Sequence, residues 1–151
     1  MKNFDFCVAG NLFVDKVQVV DRFSAGASNI STSIRDSLGG TWDLFRYPGI
    51  RSDSDMHTLG FSFKPWREAK SIADGPSILK YVRETVEEHG LLDLIQFNQR
   101  LTKAEWDSST AKWTIEVDGP GSAGALKTAK CNFLMMCGGY YDYDNPYDPG
   151  F

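Results

Sequence analysis

The chain has 151 residues, 42% of them hydrophobic and 24% charged, with a formal net charge of −4. That length supports one domain with a sizeable core and that composition excludes a disordered chain. The acidic balance argues against a nucleic-acid partner, which needs a basic face, and no apolar run approaches the roughly 18 residues of a membrane span.

Three cysteines, Cys7, Cys131 and Cys137, lack the spacing of a disulfide framework or a zinc site and read as small apolar residues. The N-terminus has no long apolar h-region, so no signal peptide and a cytoplasmic location are expected. Along the chain, "FDFCVAG" (4–10) reads as a buried first strand feeding a turn. Residues 11–34 follow neither a helical nor a strand period. The stretch "GGTWDLFRYPGIRSDSDMHTLGFSFKPW" (39–66) then mixes rigid aromatics, permissive glycines and charges. A core strand would not need the charges, and a solvated loop would not need the aromatics. A cofactor cradle needs both.

Next, "SIADGPSILKYVRETVEEHG" carries Ile78, Leu79, Val82 and Val86 at helical spacing. Asp74 suits its cap, Pro76 its first turn and Gly90 its C-terminal stop, which predicts a helix of about four turns. Lys80, Arg83, Glu84, Glu87 and Glu88 form its solvated face. The period then changes to two. "LIQFNQRL" (94–101) reads as one strand, and "KAEWD" and "KWTIEV" as a hairpin with Trp106 and Trp113 on one face. "GPGSAG" is a turn, "ALKTAKC" a third strand, and "CNFLMMCGG" a separate, buried, parallel strand ending where a ligand or backbone comes close. Nothing divides the chain, so it reads as a single domain over 1–151. Phe61, Phe63 and Trp66 read as core residues; Trp42 suits either the core or a flat ring. His57 reads as a bystander. Asp142, Asp144 and Asp148 lack the spacing of a calcium loop, so no metal is expected.

"RDSLGGTWDLFRYPGIRSDSD" resembles the signature of the class B flavoprotein monooxygenases, the flavin-containing and Baeyer–Villiger enzymes. The helix and strand at 72–107 and the strand with its Gly-Tyr-Tyr turn in "FLMMCGGYYDYDNPYDPGF" resemble the segments that follow in that family. The resemblance covers about 35–151 plus the strand at 4–10. It implies an α/β, partial Rossmann-like FAD-binding domain, with a parallel sheet and an antiparallel β-meander. It also implies FAD as cofactor, NADPH as reductant in the intact family, and transfer of one oxygen from O₂ to a small ketone or soft-heteroatom substrate. Matched by motif position, Gly10, Gly39, Gly40, Thr41, Trp42, Tyr47 and Pro48 are implied to bind the cofactor. Asp53 is implied to lie near the flavin, Leu101 against the adenine and Gly138 near the pyrophosphate.

Two departures bear on that reading. The family turn GxGxxG would start at Gly10, but its next glycines fall on Leu12 and Asp15. Ser33 stands where the family has an acidic residue for the ribose. The matched segments also end before any NADPH domain. Turnover by the chain alone is therefore not expected, and an apolar patch left on 133–136 predicts self-association. A pair of compensating frameshifts would scramble 11–34 while keeping its length, so that window is expected to be read out of frame. The alternative function is a non-catalytic binding or interaction protein derived from the same fold. Another flavoprotein hydroxylase or reductase is disfavoured by the Arg-Tyr-Pro-Gly turn.

Overall fold

A computed structural model describes residues 2–10, 29–32, 36–120, 127–139 and 147–151, with backbone only for 2–10 and 29–32. Strand β1 (Lys2–Gly10) pairs in parallel with β2 (Asn29–Thr32) on one side and with β6 (Lys127–Cys137) on the other. Two residues of β3 (Ile95–Gln96) add in parallel to β2. The hairpin β4 (Arg100–Asp107) and β5 (Lys112–Asp118) adds antiparallel to β6, giving the order β3-β2-β1-β6-β5-β4. Only three residues join the two edge strands. A flat sheet of six strands would hold its edges about 24 Å apart, and that connection reaches about 14 Å. The sheet must therefore curl, bringing the start of the meander round toward the end of β3.

The expected helix is α3 (Gly75–Glu88). Asp74 accepts the Ser77 amide at 3.0 Å as its N-cap. Gly90, at φ 60°, lets the Leu91 amide return to the Val86 carbonyl at 2.9 Å and stop the helix. Ile78, Val82 and Val86 are buried, at about 1.5–3 kcal/mol each. Ile78 and Val82 join a cluster with Met56, Trp66, Ala73 and Tyr81, with Trp42, Leu59 and Phe61 packed on its margin. Tyr81 ties this cluster together. Its hydroxyl donates to the Lys64 carbonyl at 2.5 Å and accepts the Phe61 amide at 2.8 Å. A second core, Ile115, Val117 and Cys131, lies under the meander. Trp106 and Trp113 pair directly across the hairpin, their rings 5.5 Å apart.

The structure corrects three expectations about the sheet. Residues 94–101 are not one strand: a short 3₁₀ turn at Leu92–Leu94 leads into β3, and the chain turns at Asn98, φ 54°, before β4. The alternation was real, but its two halves join opposite edges of the sheet. The expected strands at 125–131 and 131–139 are one strand, β6, shared by the meander and the parallel layer. Nor is its apolar run fully buried, since Phe133 and Met136 are about 60% and 65% exposed. Phe63 is also largely exposed, stacked on Phe61 at 5.2 Å, rather than a core residue. Strand β2 falls inside the 11–34 window; the remainder of that window, with Leu12, Asp15 and Ser33, lies outside the described residues. So do Asp142 and Asp144. No described helix is long and apolar enough to cross a membrane.

Candidate functional site

The aromatic and glycine-rich stretch folds as a bracket against α3. Gly39 (φ 104°) and Gly40 (φ 45°) are buried and turn the chain into α1 (Thr41–Leu44). At Gly39 the φ of 104° favours glycine, and a Cβ there would also run into the end of the Leu79 side chain of α3. After Tyr47-Pro48-Gly49, the chain runs beside the start of α3. The Gly75 amide donates to the Ile50 carbonyl at 2.9 Å, and the Ser52 amide to the Ala73 carbonyl at 2.8 Å. The Met56 amide bonds to the Ser71 carbonyl at 2.8 Å just before α2 (Met56–Leu59). These bonds fix the backbone on both sides of Asp53 and leave its side chain exposed.

Between α1, the Tyr-Pro-Gly turn and α3 lies a groove of about 870 Å³. Trp42, Phe45 and Tyr47 give it aromatic walls, with Pro48 and Gly49 at one end. Arg46, Arg51, Lys70 and Arg83 also line it, against Asp74. Behind it, Asp43 is only 5% exposed. Its carboxylate accepts the Ser37 hydroxyl at 2.5 Å and the Arg46 Nη2 at 2.8 Å, and the Arg83 Nη2 lies 3.5 Å away. The Arg46 Nε also donates to the Asp43 carbonyl at 2.9 Å. A buried carboxylate survives desolvation when charge-assisted donors surround it in this way.

A second group of the expected residues gathers at the carboxyl ends of the parallel strands. Gly10 closes β1 and stands opposite Cys137 in register, with Gly138 the next residue. Nothing lies within 4 Å of a Cβ placed on Gly138. Burial pushes the Cys137 thiol up from its ordinary value. Leu101 packs on the meander core. Two residues before it, Gln99 is buried, and its Oε1 has no hydrogen-bond partner. Its Nε2 donates to the Phe97 carbonyl at 3.3 Å, which fixes which end of the amide is orphaned.

The chain is 53% identical over 117 residues to the FAD-containing monooxygenase EthA of Mycolicibacterium smegmatis, a match that covers 78% of this chain and 23% of that protein. It is 49% identical over 117 residues to the probable FAD-binding monooxygenase AlmA of an Acinetobacter species, with the same coverage. Over these residues the chain is similar to FAD-containing monooxygenases. It spans about a quarter of the length of these curated relatives. No family model matches it. Among solved structures, an oxidized steroid monooxygenase bound to NADP superposes at TM-score 0.77 with 26% identity, over 99% of this chain and 28% of that one. An open form of cyclohexanone monooxygenase superposes at TM-score 0.71 over 90% of this chain and 27% of that one; at 22% identity it speaks for the fold alone.

The expected residues therefore form two groups. Gly39, Gly40, Thr41, Trp42, Tyr47, Pro48 and Asp53 belong to the bracket on α3. Gly10 and Gly138 meet at the strand ends, while Leu101 opens the meander. Sequence reasoning missed Asp43, Arg83 and Gln99. A lone Asp after Trp42 and an Arg on an evidently solvated helix face carry no signal of their own, and Gln99 looked like one more polar position in an alternating strand.

Proposed function

We propose that this chain is the Rossmann-like, FAD-binding part of a monooxygenase. The observation that carries the reading is the order β3-β2-β1-β6 with all four strands parallel. The chain builds outward from β1 to β3 and then returns to β1's other side with β6. In open α/β sheets, ligands bind outside the carboxyl ends at such a reversal, and that is where Gly10 and Gly138 come together. The residues present fit a dinucleotide. Gly138 leaves open space for a close backbone approach. The orphaned Gln99 Oε1 is a buried acceptor lacking the donor that a nucleobase would supply.

When bound, FAD would supply the redox chemistry for transfer of one oxygen of O₂ to a small ketone or soft-heteroatom substrate, with NADPH as reductant. The chain's own residues bind and orient. Gly10 and Gly138 bring backbone to the pyrophosphate, and Leu101 flanks the adenine. Trp42, Tyr47 and Pro48, with the rigid Gly39–Thr41 turn behind them, shape the flavin end, and Asp53 presents a carboxylate on a backbone fixed at both sides. The chain spans about a quarter of its relatives' length, and no NADPH oxidation above the free-flavin background is expected from these 151 residues alone. A non-catalytic binding role is a second reading, favoured by Leu12 and Asp15 in place of the phosphate-turn glycines. Titration with FAD separates these readings from no flavin role at all. Saturable binding weaker than about 1 μM, about 8 kcal/mol, is expected. Absence of saturable binding overturns the FAD reading, and sub-micromolar binding overturns the claim that Leu12 and Asp15 weaken it.

A further inference from the structure

We infer that Ser52 is the positioning residue that holds Asp53 out toward the flavin, through a buried hydroxyl that takes the main chain's place on Ala73. The target of Asp53 rests on the flavin reading above; the hold on the backbone does not. Residues 50–52 run antiparallel to 73–75, with Arg51 opposite Asp74. The Ser52 amide donates to the Ala73 carbonyl at 2.8 Å. In a regular antiparallel ladder two residues joined in this way exchange both bonds, so the Ala73 amide would return to the Ser52 carbonyl. It donates instead to Ser52 Oγ at 3.1 Å. The side chain thus ends the ladder and frees its own carbonyl to turn away, and the chain bends at Asp53 and Ser54.

Ser52 and Ala73 are only 3% and 1% exposed, while Asp53, next in the chain, stands in solvent. On the far side of the bend Asp55 caps α2, accepting the His57 amide at 2.8 Å, and the Met56 amide donates to the Ser71 carbonyl at 2.8 Å. Residues 53–55 therefore form a short arch pinned at both ends to 71–73, directly before the Asp74 cap of α3. An arch this short passes a shift at either end straight to its side chains. Removing the Ser52 hydroxyl leaves the buried Ala73 amide without its acceptor and loosens the Asp53 end, while Met56 keeps its own bond. A group beside a reacting centre works only when it is held in place, so a small shift there costs function out of proportion to stability.

The test uses the full 151-residue chain with saturating FAD and reads the visible absorption band of the bound flavin. Asp53→Asn is expected to shift that band. Ser52→Ala should shift it in the same direction, and Asp53→Asn on top of Ser52→Ala should add little, because the two residues act as one unit. Ser52→Thr, which keeps the hydroxyl, should restore the unmodified band. Ser52→Cys, close in size but a weak acceptor, should behave as Ser52→Ala. A merely structural role would lower Tm and leave the effect of Asp53→Asn whole. A full Asp53→Asn shift in the Ser52→Ala background therefore overturns the proposal, as does a Ser52→Cys variant indistinguishable from the unmodified chain. If no bound-flavin band forms, or Asp53→Asn leaves it in place, the flavin reading fails at Asp53, and amide hydrogen exchange without flavin decides the hold itself. Exchange at the position-52 amide that rises about tenfold in Ser52→Ala, returns in Ser52→Thr and spares the amides of α3 upholds it. Unchanged exchange, or a rise shared by α3, overturns it.

Discussion

The strand β6 carries more apolar side chains per residue than the segment from 39 to 90, yet buries a smaller share of them. Around α3, Met56, Trp66, Ile78, Tyr81 and Val82 bury one another, and every connecting turn is tied to a neighbour by backbone hydrogen bonds. In β6, Cys131 is buried while Phe133 and Met136 stand out to solvent. The first region is a self-sufficient core that presents a groove. The second is a scaffold strand that gives Cys131 to the meander core and holds other apolar side chains at the surface. Burial therefore depends on what the fold places opposite a residue, not on how apolar its run is.

The largest expected effect tests the first half of that contrast. Ile78→Ala leaves a cavity in a fully buried position of α3 and should cost about 2–5 kcal/mol, read from denaturant unfolding. A loss below 1 kcal/mol would mean that the α3 core is not what holds the bracket. Tyr81→Phe comes next. It removes the hydroxyl that joins Phe61 to Lys64 and should cost about 1–3 kcal/mol, with little change if both backbone groups find water.

Asp74→Ala removes the α3 cap and should cost about 1 kcal/mol. The Ser77 amide bonded to its carboxylate holds the Asp74 carboxyl below its ordinary value of 3.8. A carboxyl lowered by folding adds stability that is present above the unfolded value and lost as pH falls through the folded one. The gap between wild type and variant should therefore be constant from about pH 5 to 8 and close below about pH 4. A gap that stays constant to pH 2.5 would contradict the assignment. The smallest effect on folding belongs to β6. Met136→Ser, at an exposed position, should change stability by no more than about 0.5 kcal/mol while lowering self-association in light scattering. A large loss of stability there would erase the contrast between the two regions.

Local signals were readable wherever neighbours along the chain decide the outcome. The Asp74 cap, Pro76 and the Gly90 stop bound α3 as expected, because capping and helical periodicity are short-range effects. The Trp106–Trp113 pairing followed from a tight hairpin, where turn length fixes register. The motif at 39–53 was recognisable as a unit, and the monooxygenase relatives share it at about half identity across 117 residues. The role of Gly39 was not readable. It sits at a φ of 104° and packs against Leu79, 40 positions away.

By itself, then, the sequence determined the α3 helix, the hairpin and the family, each encoded in contiguous residues. Only the tertiary structure decided that 94–101 breaks between two edges of one sheet, and that β6 serves two layers. It also decided that Asp43 gathers Ser37, Arg46 and Arg83 at one carboxylate, and that Gln99 keeps an unpaired oxygen. These are meetings between residues far apart in the chain. Periodicity reports which face of an element is apolar, but not which other element arrives to cover it or which charge arrives to pair with it.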